Sequence, residues 1–275
     1  MSILNISAYK FVNFSQTELL TLKQKLKDKG TALNLKGTIL LSTEGINQYL
    51  AGPVEAIAEF KNFLAEMPAF ANLFYKESWS KTQPFDRMIV KIKAEIIPFK
   101  ADNIAPATFT APHLSPETLK QWYEEKRDMV VLDTRNDYEI RIGKFADAIH
   151  LNLQHFRHFP DAAKQIMAEL KDKPIVTYCT GGIRCEKAAA WMLQAGFKEV
   201  YQLDGGILNY FEQCGGAHYE GECYVFDHRV AIDSHLAEQN VSLCQQCQDP
   251  LTPAERTPGN TLCAPCHSNT QPMAA

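Results

Sequence analysis

Ile175-Val176-Thr177-Tyr178-Cys179-Thr180-Gly181-Gly182-Ile183-Arg184-Cys185-Glu186, continued by Lys187-Ala188-Ala189-Ala190-Trp191-Met192-Leu193, is the most informative stretch of this 275-residue chain. The β-branched and aromatic run before the cysteine reads as a buried strand, and the alanine-rich run after the arginine reads as a helix. Two glycines between them let the loop curl so that successive backbone N–H groups point inward, and the helix adds the positive end of its dipole. Such a loop is an anion cradle. Cys179 stands at its centre and Arg184 at its far edge, which predicts a thiol with a depressed pKa, a thiolate near neutral pH and hence a nucleophile. A buried structural cysteine beside a tight turn would need none of these neighbours.

The same pattern extends on both sides. Val130-Val131-Leu132, Ile149-His150-Leu151 and Val200-Tyr201-Gln202-Leu203 are short apolar runs separated by helical stretches. With 175–178 they predict a parallel sheet carrying helices on both faces, whose active residues lie at the carboxyl ends of the strands. Ser115-Pro116-Glu117 opens this unit as a capped helix with Pro at its first position, and Leu119, Trp122 and Tyr123 form its buried face. His155-Phe156-Arg157-His158 follows one of the strands and reads as a loop that is either solvated or in contact with substrate. A two-histidine iron site would need a carboxylate signature, and none is visible.

Residues 96–114 hold Pro98, Pro106 and Pro112 with little periodicity and read as a linker. Before it, residues 1–95 form a separate unit. An extended segment over 6–12 leads to Ser15-Gln16-Thr17-Glu18, a capping box, and Leu19, Leu22 and Leu26 form one helical stripe that Gly30 stops. Strands over 38–42 and 48–51 are joined by Thr43-Glu44-Gly45-Ile46-Asn47. Pro53 starts a second helix with Ile57, Phe60 and Leu64 on one side, and further strands are expected near 73–76 and 88–93. The order is βαββαβ with an extra strand, which predicts a ferredoxin-like α+β domain and by itself fixes no function.

Charge divides along the same boundary. Residues 1–100 carry 13 Lys/Arg against 9 Asp/Glu, while the whole chain has a formal charge of −4. Lys81, Arg87, Lys91 and Lys93 stand in a stretch with few carboxylates, which suits either a polyanionic partner or a solvated sheet face. Apolar residues make up 45%, and runs such as Ile39-Leu40-Leu41 fall far short of the roughly 18 that span a bilayer, so no membrane role is expected. The first twelve residues lack the pattern of a secretory signal, so a cytoplasmic protein is expected, its eight cysteines catalytic or metal-binding rather than disulfide-bonded.

Five of those cysteines lie in residues 216–275. Cys244-x2-Cys247 and Cys263-x2-Cys266 are fifteen residues apart, the spacing of a four-thiolate zinc site of structural type, with unmetallated or redox-active thiols as the other reading. His267 is a fallback ligand, and the last eight residues, 268–275, read as a frayed tail. There is no flavin, haem, nicotinamide or phosphate-loop signature.

Around the cysteine loop the sequence resembles the rhodanese family. The resemblance also rests on Asp133-Thr134-Arg135-Asn136-Asp137-Tyr138-Glu139, on 143–151, and on Gly196-Phe197 with Leu203-Asp204-Gly205-Gly206-Ile207. Lys144-Phe145-Ala146-Asp147 and Cys185 depart from the usual family pattern. Within that superfamily a Cys-x4-Arg loop, as here, goes with persulfide carriers, and phosphatases use Cys-x5-Arg. Cys185 either resolves a Cys179 persulfide as a disulfide or is a small residue packed at the helix start.

Taken end to end, with Thr43–Asn47, Pro84-Phe85-Asp86-Arg87, the Cys179 loop and Gly221-Glu222-Cys223-Tyr224-Val225-Phe226-Asp227, the chain resembles the bacterial oxygen-dependent tRNA uridine-34 hydroxylases. That resemblance implies hydroxylation of the wobble uridine at carbon 5, with Cys179 essential, molecular oxygen as cosubstrate and the tRNA anticodon loop as partner. Protein partners are not implied. The expected architecture is a basic ferredoxin-like domain (1–95), a linker (96–114), a rhodanese domain with a parallel sheet (115–215) and a cysteine-rich tail (216–275). Expected site residues are Cys179 and Arg184 for catalysis, Gly181, Gly182, Lys81, Arg87, Lys91 and Lys93 for substrate, and Cys244, Cys247, Cys263 and Cys266 for metal. A sulfurtransferase carrying a Cys179 persulfide is the alternative.

Overall fold

The computed structural model describes residues 2–270. The first unit runs β1 (Ile3–Phe11), α1 (Gln16–Ala32), β2 (Lys36–Ser42), β3 (Gly45–Gly52), α2 (Val54–Ala65), β4 (Lys76–Ser80) and β5 (Met88–Ile92). Its sheet has the order β4-β1-β3-β2-β5, the ferredoxin-like arrangement with β5 added parallel to β2. Period-2 alternation splits the strands cleanly. Leu4, Ile6, Ile39, Leu41, Ile46 and Leu50 face the helices and join Leu19, Leu26, Ile57 and Phe60 in one core. The opposite face carries Tyr9, Asn47, Tyr49, Lys76 and Ser78. It is polar yet largely buried, because the second unit covers it.

Three local expectations shift. The capping box at Ser15 and Glu18 forms, but Gly30 does not stop α1, which continues to Ala32. Gly30 instead lets Met88 approach, since a Cβ there would lie 2.5 Å from Met88 Cε, and Asn34 leaves the helix at φ 52. The hairpin turn is the pair Thr43-Glu44, because Gly45 already belongs to β3, where a Cβ would meet Lys10 O at 2.1 Å. The strand expected near 73–76 begins at Lys76; a 3-10 turn at Pro68–Phe70 and Asn72 at φ 60 delay it.

The second unit runs β6 (His113–Leu114), α3 (Pro116–Glu124), β7 (Val130–Asp133), α4 (Asp137–Ile140), β8 (Gly143–Phe145), β9 (Ile149–His150), α5 (Phe159–Leu170), β10 (Pro174–Tyr178), α6 (Ile183–Gln194), β11 (Glu199–Leu203) and α7 (Gly206–Cys214). Its parallel sheet has the order β6-β11-β10-β7-β9, so β10 is central. Leu119 and Trp122 of α3 pack with Ile207, Tyr210 and Phe211 of α7 on one face, and Phe159 of α5 packs with Ala188, Ala189 and Met192 of α6 on the other. Ser115 caps α3 as its sequence indicates.

Segment 96–114 is woven into the fold. Phe99 is buried against Phe156 and Phe159 with ring centroids 5.1 and 6.1 Å away, and His113–Leu114 supply the edge strand β6. The chain ends in β12 (Tyr219–Gly221), β13 (Cys223–Tyr224), β14 (Ala231–Ile232) and α8 (Ala264–Thr270). Residues 268–270, expected to fray, belong to α8, and the rest of that expectation, 271–275, lies outside the described residues. Among the described residues no helix is long and apolar enough to cross a membrane.

Candidate active site

Cys179 directly follows the central strand β10, and the chain turns at Gly182, φ +96, into α6. The residue is 1% exposed, and its sulfur accepts the Gly182 N–H at 3.1 Å. Burial alone would raise the thiol's pKa. Donation from the Cys185 thiol, the Arg184 guanidinium and the N–H groups of Arg184 and Gly182 outweigh burial and bring it to about 5. Cys185 moves the other way, well above the usual thiol range, because it is buried and holds its proton toward the Cys179 charge. Of the two thiols, one keeps the proton and the other is the anion. Cys185 Sγ also lies 3.7 Å from Thr134 Oγ1.

The loop is closed from behind by the second glycine pair. Gly206, at φ +68, lies so close that a Cβ would stand 2.4 Å from Cys179 O. This approach lets the N–H groups of Ile207 and Leu208 donate to Cys179 O and Thr180 O, both at 3.0 Å. Gly206 and the N–H groups of Ile207 and Leu208 thus fix the loop's backbone.

Arg184 is 4% exposed and gives both terminal nitrogens to Glu139, at 2.6 and 2.7 Å. Thr180 Oγ1 donates to the same carboxylate at 3.3 Å. Glu139 is the missed partner: its place at the end of the Asp-x-Arg-x-x-x-Glu stretch was legible, but its role was not. It fixes the guanidinium beside the loop and takes up part of the charge that the sequence assigns wholly to Cys179.

A cavity of about 540 Å³ opens over Cys179, Thr180, Gly181 and Arg184. Its other walls come from both units: Asn47 and Tyr49 of β3, Phe85, His155, Arg157 and Phe226. Among the described residues its charged lining is Arg157 and Arg184, with no carboxylate. The 155–158 loop is thus brought to the cavity. Gly181 lines it also, and Gly182 donates to the sulfur.

The four basic residues expected to meet substrate are exposed and stand outside the cavity wall. Lys91, in β5, pairs in register with Leu40, a wall residue, and Lys93 follows that strand; Lys81 and Arg87 flank the β4–β5 connection. The basic residues nearest the loop are instead buried ones that the charge pattern missed. Lys187 Nζ lies 2.7 Å from Glu95, 2.8 Å from Glu44 and 3.0 Å from Ile97 O. Its neighbour Glu186 accepts from Tyr9 Oη at 3.0 Å and Thr110 Oγ1 at 2.7 Å. These contacts of Glu44, Glu186 and Lys187 lock the two units together across the site.

In the tail, the sulfurs of Cys244, Cys247, Cys263 and Cys266 all lie within 4.8 Å of one another, and Cys247 and Cys263 are 3.6 Å apart. Zinc–thiolate bonds of about 2.3 Å in a tetrahedron place sulfurs roughly 3.8 Å apart, so the cluster fits a metal ion. Arg141, at the end of α4, pairs with Glu255 at 3.0 Å, and Glu255 accepts the Ala264 N–H at 2.7 Å. The cysteine module is thereby tied to the short helix that carries Glu139.

Three family models match this chain: a UPF0176 acylphosphatase-like domain over residues 3–96, a rhodanese-like domain over 115–213 and a rhodanese C-terminal domain over 220–273. Proteins named tRNA uridine(34) hydroxylase are similar along most of its length. That of Cupriavidus necator is 47% identical over 93% of this chain and 92% of its own. That of Delftia acidovorans is 50% identical over 86% and 90%, and that of Paraburkholderia xenovorans 42% identical over the full length of both.

Proposed function

Because this chain belongs to the tRNA uridine(34) hydroxylase family, we propose that it hydroxylates the wobble uridine of tRNA at carbon 5 with Cys179 as its essential residue. The observation that carries this assignment is the Cys179 thiolate at the floor of a cavity of about 540 Å³, inside the range of small-ligand sites. To reach the sulfur, the wobble base leaves the anticodon loop and enters between the two units, as bases do in enzymes that act on them. Tyr49, Phe85 and Phe226 offer ring faces for stacking, and Arg157 and Arg184 suit an oxygen that gains negative charge. A thiolate adding to carbon 6 of the ring makes carbon 5 nucleophilic. Molecular oxygen is the cosubstrate in this reading: one atom goes to carbon 5, and the other leaves as water with two electrons from an external reductant. Loss of the carbon 5 proton then expels the Cys179 thiolate from carbon 6. The tail holds one structural zinc on its four thiolates, with no open position for catalysis. With tRNA as substrate, the enzyme works in the cytoplasm.

A second reading is favoured by the same cradle, whose N–H groups suit a terminal persulfide sulfur as well as a thiolate. In that case the chain is a sulfurtransferase. Nucleoside mass spectrometry of tRNA from cells lacking the gene, complemented with wild type or Cys179→Ser, separates the two. The hydroxylase predicts loss of 5-hydroxyuridine derivatives in both the deletion and the variant. Their persistence, with no redundant pathway active, leaves the sulfurtransferase.

A further inference from the structure

On the far side of the Gly181-Gly182 turn from the Cys179 cavity lies a second cleft of about 290 Å³. Tyr9, Phe11, Phe74, Lys76, Glu186 and Asp204 line it. Most of its polar groups are already engaged. Glu186 accepts from Tyr9, Thr110 and Gln202; Asp204 pairs with His113 at 3.1 Å; Lys10 donates to Ala71 O at 2.8 Å. Lys76 is different. It is 4% exposed, yet among the described residues its ammonium has no carboxylate or carbonyl within hydrogen-bond or ion-pair distance. It sits over the rings of Tyr9 and Phe74, 4.7 and 5.4 Å from their centroids.

A buried ammonium without a counter-ion is costly, and such groups are normally paired. Burial brings this one down to about 8, while Cys179, Asp204 and Glu186 pull it back up. At neutral pH it stays mostly charged, with three donors and nothing to receive them. His113 lies 3.1 Å from Asp204 and 3.6 Å from Glu186, which leaves the Lys76 ammonium as a cation of the cleft without a hydrogen-bonded partner among the described residues, its strongest anionic influence being the Cys179 sulfur beyond the glycine turn. A bound anion would supply what is missing. Phe74, 48% exposed beside it, adds an aromatic face of the kind on which bases stack.

We infer that this cleft is a second nucleotide subsite, in which Lys76 receives the phosphodiester next to the wobble nucleotide and Phe74 stacks the flanking base. The inference rests on tRNA being the substrate. The geometry suits a neighbouring nucleotide because Gly181 lines the first cavity while a Cβ on it would stand only 3.9 Å from Lys76 Cε. One thin turn of glycine backbone separates the two sites. Catalysis would then draw on a loop gripped on both sides of the base it acts upon.

The test measures affinity for an anticodon stem-loop and for copies in which one linkage flanking the wobble nucleotide is an uncharged methylphosphonate. Lys76→Met should weaken binding of the unmodified loop about ten-fold, the worth of one charge-assisted hydrogen bond, and lower the salt slope by about 0.7. One methylphosphonate should weaken wild type to a similar degree and leave Lys76→Met nearly unchanged. Equal binding and equal slope for wild type and variant, or additive losses from the variant and every neutral linkage, overturn the subsite. Should Lys76→Met not fold, Phe74→Ala at its exposed position carries the test and should weaken the loop several-fold; unchanged binding overturns the proposal. If wild type binds no stem-loop, the tRNA reading is what has failed, and inorganic phosphate decides the cleft: perturbation of the Phe74 signals in wild type but not in Lys76→Met supports an anion site, and none in wild type overturns it.

Discussion

The Cys179 loop and the tail cluster are both groups of thiols, and they manage negative charge by opposite means. Cys179 is one sulfur among fixed donors: a backbone N–H at 3.1 Å, the Cys185 thiol and the Arg184 guanidinium. The tail brings four sulfurs within 4.8 Å of one another, where each thiolate formed discourages the next. The first arrangement holds an anion with the chain's own dipoles, and the second has the geometry to hold an external cation. It follows that the loop should be indifferent to chelators and sensitive to its neighbours' geometry, while the tail should behave in the reverse way.

Cys179→Ser gives the largest expected effect, complete loss of 5-hydroxyuridine formation with the fold retained, since the side chain is close to isosteric. Alkylation of wild type by iodoacetamide should follow one ionisation near 5 and be flat above it. The sign for stability follows from the same shift. Between about 5 and the free-thiol value of about 8.5 the unfolded chain binds a proton at this position that the folded chain does not. The stabilisation is therefore present above that window and is lost as pH falls through 5. An alkylation midpoint near 8.5 would break the contrast with the tail.

The second effect concerns Glu139, which the loop depends on and whose helix the tail reaches through Arg141. Removing one partner of a buried ion pair costs about 3–5 kcal/mol, because the other charge is left unpaired. Glu139→Gln should lower thermal stability accordingly and let Arg184 move from the loop, with hydroxylation falling more steeply than tRNA binding. Calorimetry and single-turnover assays on one preparation read both. A fall in binding alone would mean that the carboxylate serves the substrate rather than the guanidinium.

What could be read from the sequence divides along the same physical line. The loop's chemistry was legible because its donors lie within six residues of Cys179, where strand, glycines and helix fix one another. The cysteine pairs were legible because metal ligands recur at short spacings. Lys76, Glu186 and Lys187 were not, although a Cβ on Gly181 would stand 3.9 Å from Lys76 and the other two directly follow the loop, whereas Lys81, Arg87, Lys91 and Lys93 stand outside the cavity wall. Their burial arises only when the polar face of the first sheet docks on the second unit, and no periodicity within either unit announces that contact. Gly30 misled for a related reason: its missing side chain serves Met88 across the fold, not the end of its own helix.

A smaller effect is expected from the metal. Removing it with a chelator, or by Cys247→Ala, should release close to one equivalent of zinc by elemental analysis and loosen the tail. The alkylation midpoint of Cys179 should stay in place, since no donor to its sulfur comes from the tail. The tie between Arg141 and Glu255 allows a modest loss of activity through α4. A shift of the Cys179 midpoint on chelation would join the two thiol centres into one system.

The smallest effect belongs to charges that neither centre uses. Lys91, on the edge strand β5, and Lys93, just after it, are exposed, so reversing both to Glu should leave stability within about 0.5 kcal/mol. Their worth, if they meet RNA, is electrostatic and additive with the grip on the base. Each phosphate they neutralise contributes about 0.7–0.9 to the slope of log affinity against log salt. The double reversal should therefore raise the dissociation constant for tRNA several-fold at low salt and lower that slope, while the Cys179 alkylation profile and the turnover of bound substrate stay as in wild type. Filter binding across a salt series checks it. An unchanged slope would take Lys91 and Lys93 out of the interface and leave the buried side chains around the loop, rather than the visible basic stretch, as the source of tRNA affinity.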